Sequence, residues 1–214
     1  MGLTRDLLDV LLPTPCAVCG ELAGDGSLAR LCAACEAQLP RQAWPLQTRI
    51  PCVAAGWYLA SYRGVGGDLI RTGKYGRREA LLAEIAALCA GRMVGALPAV
   101  EAVVAVPTPW PRRAVRGFSA PDLLADAIAR TLERPRLGLL ARRLRPRQAG
   151  LDRGARWANA AGSVRLRGPV EGEPTLLLVD DVVTTGATAS ACAEVLLLGG
   201  ARRVYLCAFA SALP

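Results

Sequence analysis

The chain is 214 residues long, 52% hydrophobic and without histidine, so it can bury one substantial core plus a small appendage, and Ser-His-Asp and Cys-His chemistry are excluded. A net charge of +8 favours anionic partners such as phosphates, nucleotides or nucleic acid. Every basic residue but Lys74 is arginine, which coding bias explains as well as selection for bidentate phosphate binding does.

The N-terminus, MGLTRDLLDVLLP, reads as a short helix. Asp6 and Asp9 interrupt its apolar part, which argues against a secretory signal and for a cytoplasmic protein. Four cysteines follow as Cys16-x-x-Cys19 and Cys32-x-x-Cys35, with Gly20, Gly24 and Gly26 between the pairs. Each hairpin points two sulfurs at one centre, and two hairpins close a tetrahedral shell suited to structural Zn²⁺. Rubredoxin-type iron is the runner-up, and two disulfides are a weaker alternative in a chain without secretory context. Cys52, Cys89, Cys192 and Cys207 lie among apolar residues and read as inert core groups.

This module is expected to span residues 1–40, with 41–51 as a linker and a second domain over 52–214. In that domain residues 52–62 read as an apolar strand, and Gly64, Gly66 and Gly67 as a turn. Arg78 to Leu97 reads as a helix through Leu81, Leu82, Ile85, Leu88 and Met93. Glu101 to Val106 is a short buried strand. The Pro-rich segment from Val106 to Phe118 reads as a loop that keeps its shape at low entropic cost and presents Arg112, Arg113 and Arg116 to an anion such as a departing pyrophosphate. Phe118 to Leu132 is an amphipathic helix, 139–159 a polar, Arg-rich excursion, and Thr175 to Ala208 a β-loop-α-β unit. This alternation predicts an α/β fold with a parallel sheet. The longest stretch free of charge, Ile50 to Tyr62, falls well short of the roughly 20 residues a membrane-spanning helix needs, so no membrane insertion is expected.

The segment TLLLVDDVVTTGAT, residues 175–188, carries the most chemistry. Leu176 to Val179 lacks polar alternation, as in a strand buried on both faces of a parallel sheet. Asp180 and Asp181 then fall at the carboxyl end, where open α/β sheets bind ligands. Two adjacent acids can accept from vicinal hydroxyls or hold Mg²⁺ through water. Thr184, Thr185, Gly186, Ala187 and Thr188 supply backbone N–H groups, hydroxyls and one unhindered backbone position just before an Ala-rich helix, whose dipole favours a phosphate. A capped helix preceded by solvated turn acids is the plainer alternative. The combination of strand, paired acids, Thr/Gly loop and helix favours a site for a phosphorylated sugar.

This segment closely resembles the ribose-phosphate loop of the type I phosphoribosyltransferases, which use phosphoribosyl pyrophosphate (PRPP). Further motifs are Tyr62-x-Gly64, Lys74-Tyr75-Gly76-Arg77, Val106-Pro107-Thr108-Pro109, Arg116-Gly117-Phe118, Gln148-Ala-Gly-Leu151 and Arg156-x-x-Asn159. With these and the four-cysteine module the chain resembles the ComF family from end to end. The resemblance implies a small zinc ribbon fused to a type I phosphoribosyltransferase-like domain, associated with natural competence and the handling of imported single-stranded DNA. It implies that Asp180 and Asp181 face the ribose hydroxyls with Mg²⁺ nearby and that residues 184–188 take the 5′-phosphate. Arg112, Arg113 and Arg116 would face pyrophosphate beside Pro107 and Thr108, with Lys74 and Tyr75 near the pocket. Two positions depart from the pattern: Ser119 stands where the family usually has Asn, and a Phe usual after the Arg-x-x-Asn stretch is replaced near Ser163-Val164.

Two classes of function follow. In the first, PRPP binds with Mg²⁺, pyrophosphate leaves, and an acceptor attacks C1 through an oxocarbenium-like state, helped mainly by positioning and electrostatics. In the second, the fold serves without turnover as a binder of single-stranded DNA or other competence proteins, with Trp110 and Trp157 beside arginines for stacking. The retained acid pair favours a PRPP pocket, since two carboxylates at a phosphate loop would repel a nucleic-acid backbone. No residue pattern identifies the acceptor.

Overall fold

In the computed structural model the described residues are 14–23, 28–142 and 162–213. The helix expected at the N-terminus lies outside them, as do Gly24, Gly26, Gln148, Leu151, Arg156, Trp157 and Asn159. The elements run α1 (Ala33–Glu36), β1 (Trp44–Pro45), β2 (Gly56–Ser61), α2 (Val65–Tyr75), α3 (Glu79–Met93), β3 (Ala102–Ala105), α4 (Trp110–Arg116), α5 (Ala120–Leu132), β4 (Leu140–Arg142), β5 (Val164–Leu166), β6 (Thr175–Val183), α6 (Ala187–Leu198) and β7 (Arg203–Ser211).

Strands buried on both faces must find neighbours for their backbone groups, and four of them do so in parallel. The sheet order is β1-β2-β7-β6-β3, with only β1 antiparallel. β6 sits between β3 and β7, pairing Leu177 with both Val103 and Tyr205. Alternation along β6 sends Leu177 and Val179 into one apolar layer with α2, α3 and α5, and Leu176 and Leu178 into another with α6. β4 and β5 form a separate antiparallel pair.

Cysteine-module residues Leu28, Leu31 and Leu39 share the first layer with Leu81, Leu82 and Ile85 of α3. Two arginines fasten this contact. Arg30 pairs with Glu84 of α3, and Arg92 of α3 reaches Glu36 at 3.3 Å and donates to the carbonyls of Leu39 and Pro40.

Five local expectations are corrected, the first being that Gly66 and Gly67 lie inside α2, with only Gly64 before it, rather than in a turn. The segment after β3 is extended only to Pro109 and then forms α4, because Pro111 falls in the first turn, where its missing N–H costs nothing. β6 does not end at the acid pair but continues to Val183, held by pairing of Val182 and Val183 with β7. Within 41–51, Trp44 and Pro45 add an edge strand to β2. Cys52 is exposed in a turn with φ of 65°, so its apolar sequence neighbours do not carry it into the core, whereas Cys89, Cys192 and Cys207 are buried.

Candidate functional site: a loop cup and a cysteine knuckle

The parallel strands bring their carboxyl ends to one edge, and β6 reaches furthest into the site. After Val183 the chain turns through Thr184 and Thr185 into Gly186, whose φ of +78° starts α6. Ser190 is the first residue to close the helical ladder, bonding Gly186 O at 2.8 Å, so the preceding amides form the electropositive start of the helix. Ala187 N–H leans toward Thr185 Oγ1 at 3.4 Å. Asp180, Val182, Val183, Thr184, Thr185, Gly186, Ala187, Thr188 and Ala189 line a solvent-open cup.

Gly186 is required twice over. Its φ is one that side chains rarely adopt, and a Cβ there would lie 2.9 Å from Cγ1 of the buried Ile50. Gly186→Ala is therefore expected to destabilise the fold by about 2 kcal/mol, read as a lower midpoint in chemical denaturation. An unchanged midpoint would mean that the loop moves off Ile50 freely. Nothing in the local sequence pairs Ile50 with this loop, and only the fold brings them together.

The two acids do not act from one face. Alternation along β6 turns Asp180 to the cup and Asp181 to the opposite face, where it is 7% exposed, borders a small pocket lined mainly by apolar side chains, and pairs with Lys74 Nζ at 2.5 Å. Asp181 N–H donates to Asp180 Oδ1 at 2.8 Å. Burial and the neighbouring Asp181 charge push the Asp180 carboxyl up to about 7, against the pull of Lys74 and the Asp181 amide. Lys74 reaches β6 because α2 starts hard against the end of β2: a Cβ on Gly67 would meet Tyr62 O at 1.9 Å.

The arginines hang on α4, none of whose residues is buried. Arg113 donates to Asp122 of α5 at 3.3 Å, and Asp122 also takes Arg136. Arg116 lies over the ring of Tyr75, 5.4 Å from its centroid. Arg112 occupies the exposed first turns of the helix, its N–H bonded to Pro109 O. Pro107 and Thr108 are half-buried at the exit of β3. Thr108 Oγ1 meets Ser119 Oγ at 2.9 Å, and Ser119 caps α5 by accepting from Asp122 N–H. Ser119 thus serves an internal contact that its neighbours in sequence do not announce. The structure brings Asp180 together with residues 184–188, and Asp181 together with Lys74, while Arg116 and Tyr75 form their own contact.

At the other end of the described chain, Cys16 N–H bonds Glu21 O at 2.6 Å and Ala17 N–H bonds Arg30 O at 3.0 Å, which lays the two hairpins against each other. The sulfurs of Cys16, Cys19, Cys32 and Cys35 all lie within 4.8 Å of one another. Cys19 and Cys32 sulfurs are 3.6 Å apart and all four thiols are free of disulfides. Tetrahedral thiolates roughly 2.3 Å from an ion sit about 3.8 Å apart, so this donor set fits a metal and does not fit the disulfide alternative. Burial acts to raise the Cys16 thiol, but amide donors of Cys19, Cys32 and Val18 outweigh it and bring it down to about 6, whereas burial and the neighbouring thiols push Cys35 up.

No family model matches the chain. It is 31% identical over 156 residues to the DNA utilization protein YhgH of Escherichia coli (strain K12), a match covering 69% of this chain and 68% of that protein. The chain belongs to the YhgH family. The YhgH protein of Salmonella typhi is 35% identical over 147 residues, covering 64% of this chain and 63%, under two thirds, of that relative. Among solved structures, adenine phosphoribosyltransferase from Leishmania tarentolae aligns with a TM-score of 0.39 and 16% identity, covering 67% of this chain and 77% of that one. The Leishmania donovani enzyme aligns with a TM-score of 0.38 and 19% identity, covering 68% and 70%. Among the described residues no helix is long and apolar enough to cross a membrane.

Proposed function

We propose that this YhgH-family chain is a cytoplasmic ComF-type protein that binds PRPP at the cup and serves DNA uptake in natural competence, with phosphoribosyl transfer as its chemistry. The observation that carries this reading is a carboxylate, Asp180, in the wall of a cup whose floor is a Thr/Gly loop at the start of a helix. The loop amides and Thr hydroxyls suit a 5′-phosphate, and Asp180 suits the ribose hydroxyls. Mg²⁺, held through water near Asp180, would neutralise the pyrophosphate of the bound ligand. Arg112, Arg113 and Arg116 would then meet the charge that grows on pyrophosphate as its bond to C1 breaks and the acceptor's bond to C1 forms. Cys16, Cys19, Cys32 and Cys35 would hold structural Zn²⁺, a closed shell with no position for substrate. Calorimetric titration of PRPP in the presence of Mg²⁺ tests the reading: saturable binding is expected, and none in a folded, metal-loaded protein would overturn it.

A second reading, binding of single-stranded DNA, is favoured by α4 itself. Trp110, Arg113 and Arg116 recur every third residue and so share a helical face. Trp110 is 71% exposed, and the helix contributes nothing to the core. An aromatic beside guanidinium groups is how sequence-tolerant strands are held. Trp110→Ala is expected to weaken oligonucleotide binding by roughly ten-fold, within the range of one lost base stack, while affinity in both proteins falls with salt. Salt-independent affinity would count against phosphate contacts.

A further inference from the structure

Lys74 and Tyr75 are consecutive, yet they touch two different walls of the site: Lys74 the Asp181 carboxylate of β6, Tyr75 the Arg116 guanidinium of α4. Resting on the PRPP reading above, we propose that the last turn of α2 is a strut between these walls, and that Tyr75 is a positioning residue that presents Arg116 to the pyrophosphate end of the ligand.

Burial does not account for Tyr75, which is 76% exposed. Packing does not aim α4 either, since none of its residues is buried. Arg113 on Asp122 and Arg116 on Tyr75 are two of the side-chain contacts that steer α4. Tyr75 itself has a firm base, because the Lys74–Asp181 pair is largely shielded from water, with 16% and 11% of the two side chains exposed. Firmness therefore passes from β6 through Asp181, Lys74 and Tyr75 to Arg116. A guanidinium lying over a ring keeps its N–H edge free for an anion while giving up rotamer freedom, so less order remains to be lost on binding.

Isothermal titration with PRPP, inorganic pyrophosphate and ribose 5-phosphate, each with Mg²⁺, tests this in the full chain. Tyr75→Ala is expected to weaken PRPP and pyrophosphate about three-fold, the scale of an exposed cation–π contact, and to leave ribose 5-phosphate affinity and the melting temperature unchanged. Tyr75→Phe and Tyr75→Trp should restore parental affinity, since either ring can carry the guanidinium. In an Arg116→Ala background, Tyr75→Ala should have no further effect. Undiminished pyrophosphate binding by Tyr75→Ala would overturn the strut alone, as would equal weakening of ribose 5-phosphate or a full additional loss without Arg116. Failure of the parent protein to bind PRPP would overturn the phosphoribosyl reading and the strut's role together.

Discussion

Replacing Asp180 and Asp181 together by asparagine is expected to abolish PRPP binding in calorimetry while the cysteine knuckle keeps its full metal content. Undiminished binding would sink the assignment of Asp180 to the ligand. The single variants should behave in opposite ways, because the strand turns the two carboxylates to opposite faces. Asp181→Asn strands the Lys74 ammonium in a largely dry place, at an expected cost of about 3 kcal/mol in folding stability. Asp180→Asn should stabilise the apoprotein. The Asp180 carboxyl titrates near 3.8 when unfolded and at about 7 when folded, so as pH rises between those values the unfolded chain releases its proton first and the native state loses ground. The asparagine variant escapes that loss. Its advantage in urea denaturation without divalent cation should be negligible near pH 3, grow through pH 5 to 7 and reach on the order of 2 kcal/mol at pH 8. A flat difference across that range would contradict the raised carboxyl. Keeping an acid that weakens the empty fold is what a binding group does, since a ligand recovers the loss.

The second large effect is expected from the knuckle. Cys35→Ser, or exhaustive chelation of the parent protein, should lower stability by at least about 3 kcal/mol, a fraction of what structural zinc supplies to isolated fingers. It should also lower the midpoint of the main unfolding transition. The reason is packing: Leu28, Leu31 and Leu39 bury themselves against α3 in the same layer as Leu177 and Phe209. Elemental analysis should give one zinc per chain in the parent and none in the variant. A main transition unmoved by metal loss would show that the knuckle folds independently of the sheet. Iron in place of zinc would be visible in the absorption spectrum of the purified protein.

What could be read from the sequence was whatever local pattern determines. Leu176 to Val179 announces a doubly buried strand, the cysteine spacing announces a ligand cluster, and Thr184 to Thr188 announces a turn into a helix. The splitting of the acid pair was hidden, because it depends on β6 running on to Val183, and that follows from β7 pairing as far as Ser211. α4 was hidden by its prolines, which read as a loop until Pro111 is seen in the first turn, where a helix tolerates it. Lys74, the lone lysine, stood out by composition, but its partner lies far away in the chain and only the path of α2 joins them. Ile50 gave no sign at all. An apolar residue in a Pro-bearing stretch reads as filler, and its place beneath Gly186 exists only once the sheet is built.

Ile50 ties two parts of the molecule whose roles otherwise look separate. The stretch leaving the cysteine knuckle first adds a strand to β2, then lays Leu46 against Gly56, and finishes with Ile50 as the floor under Gly186. The segment that joins the knuckle to the sheet is therefore also the support of the loop, so the place where α6 begins is built from residues more than a hundred positions away in the chain.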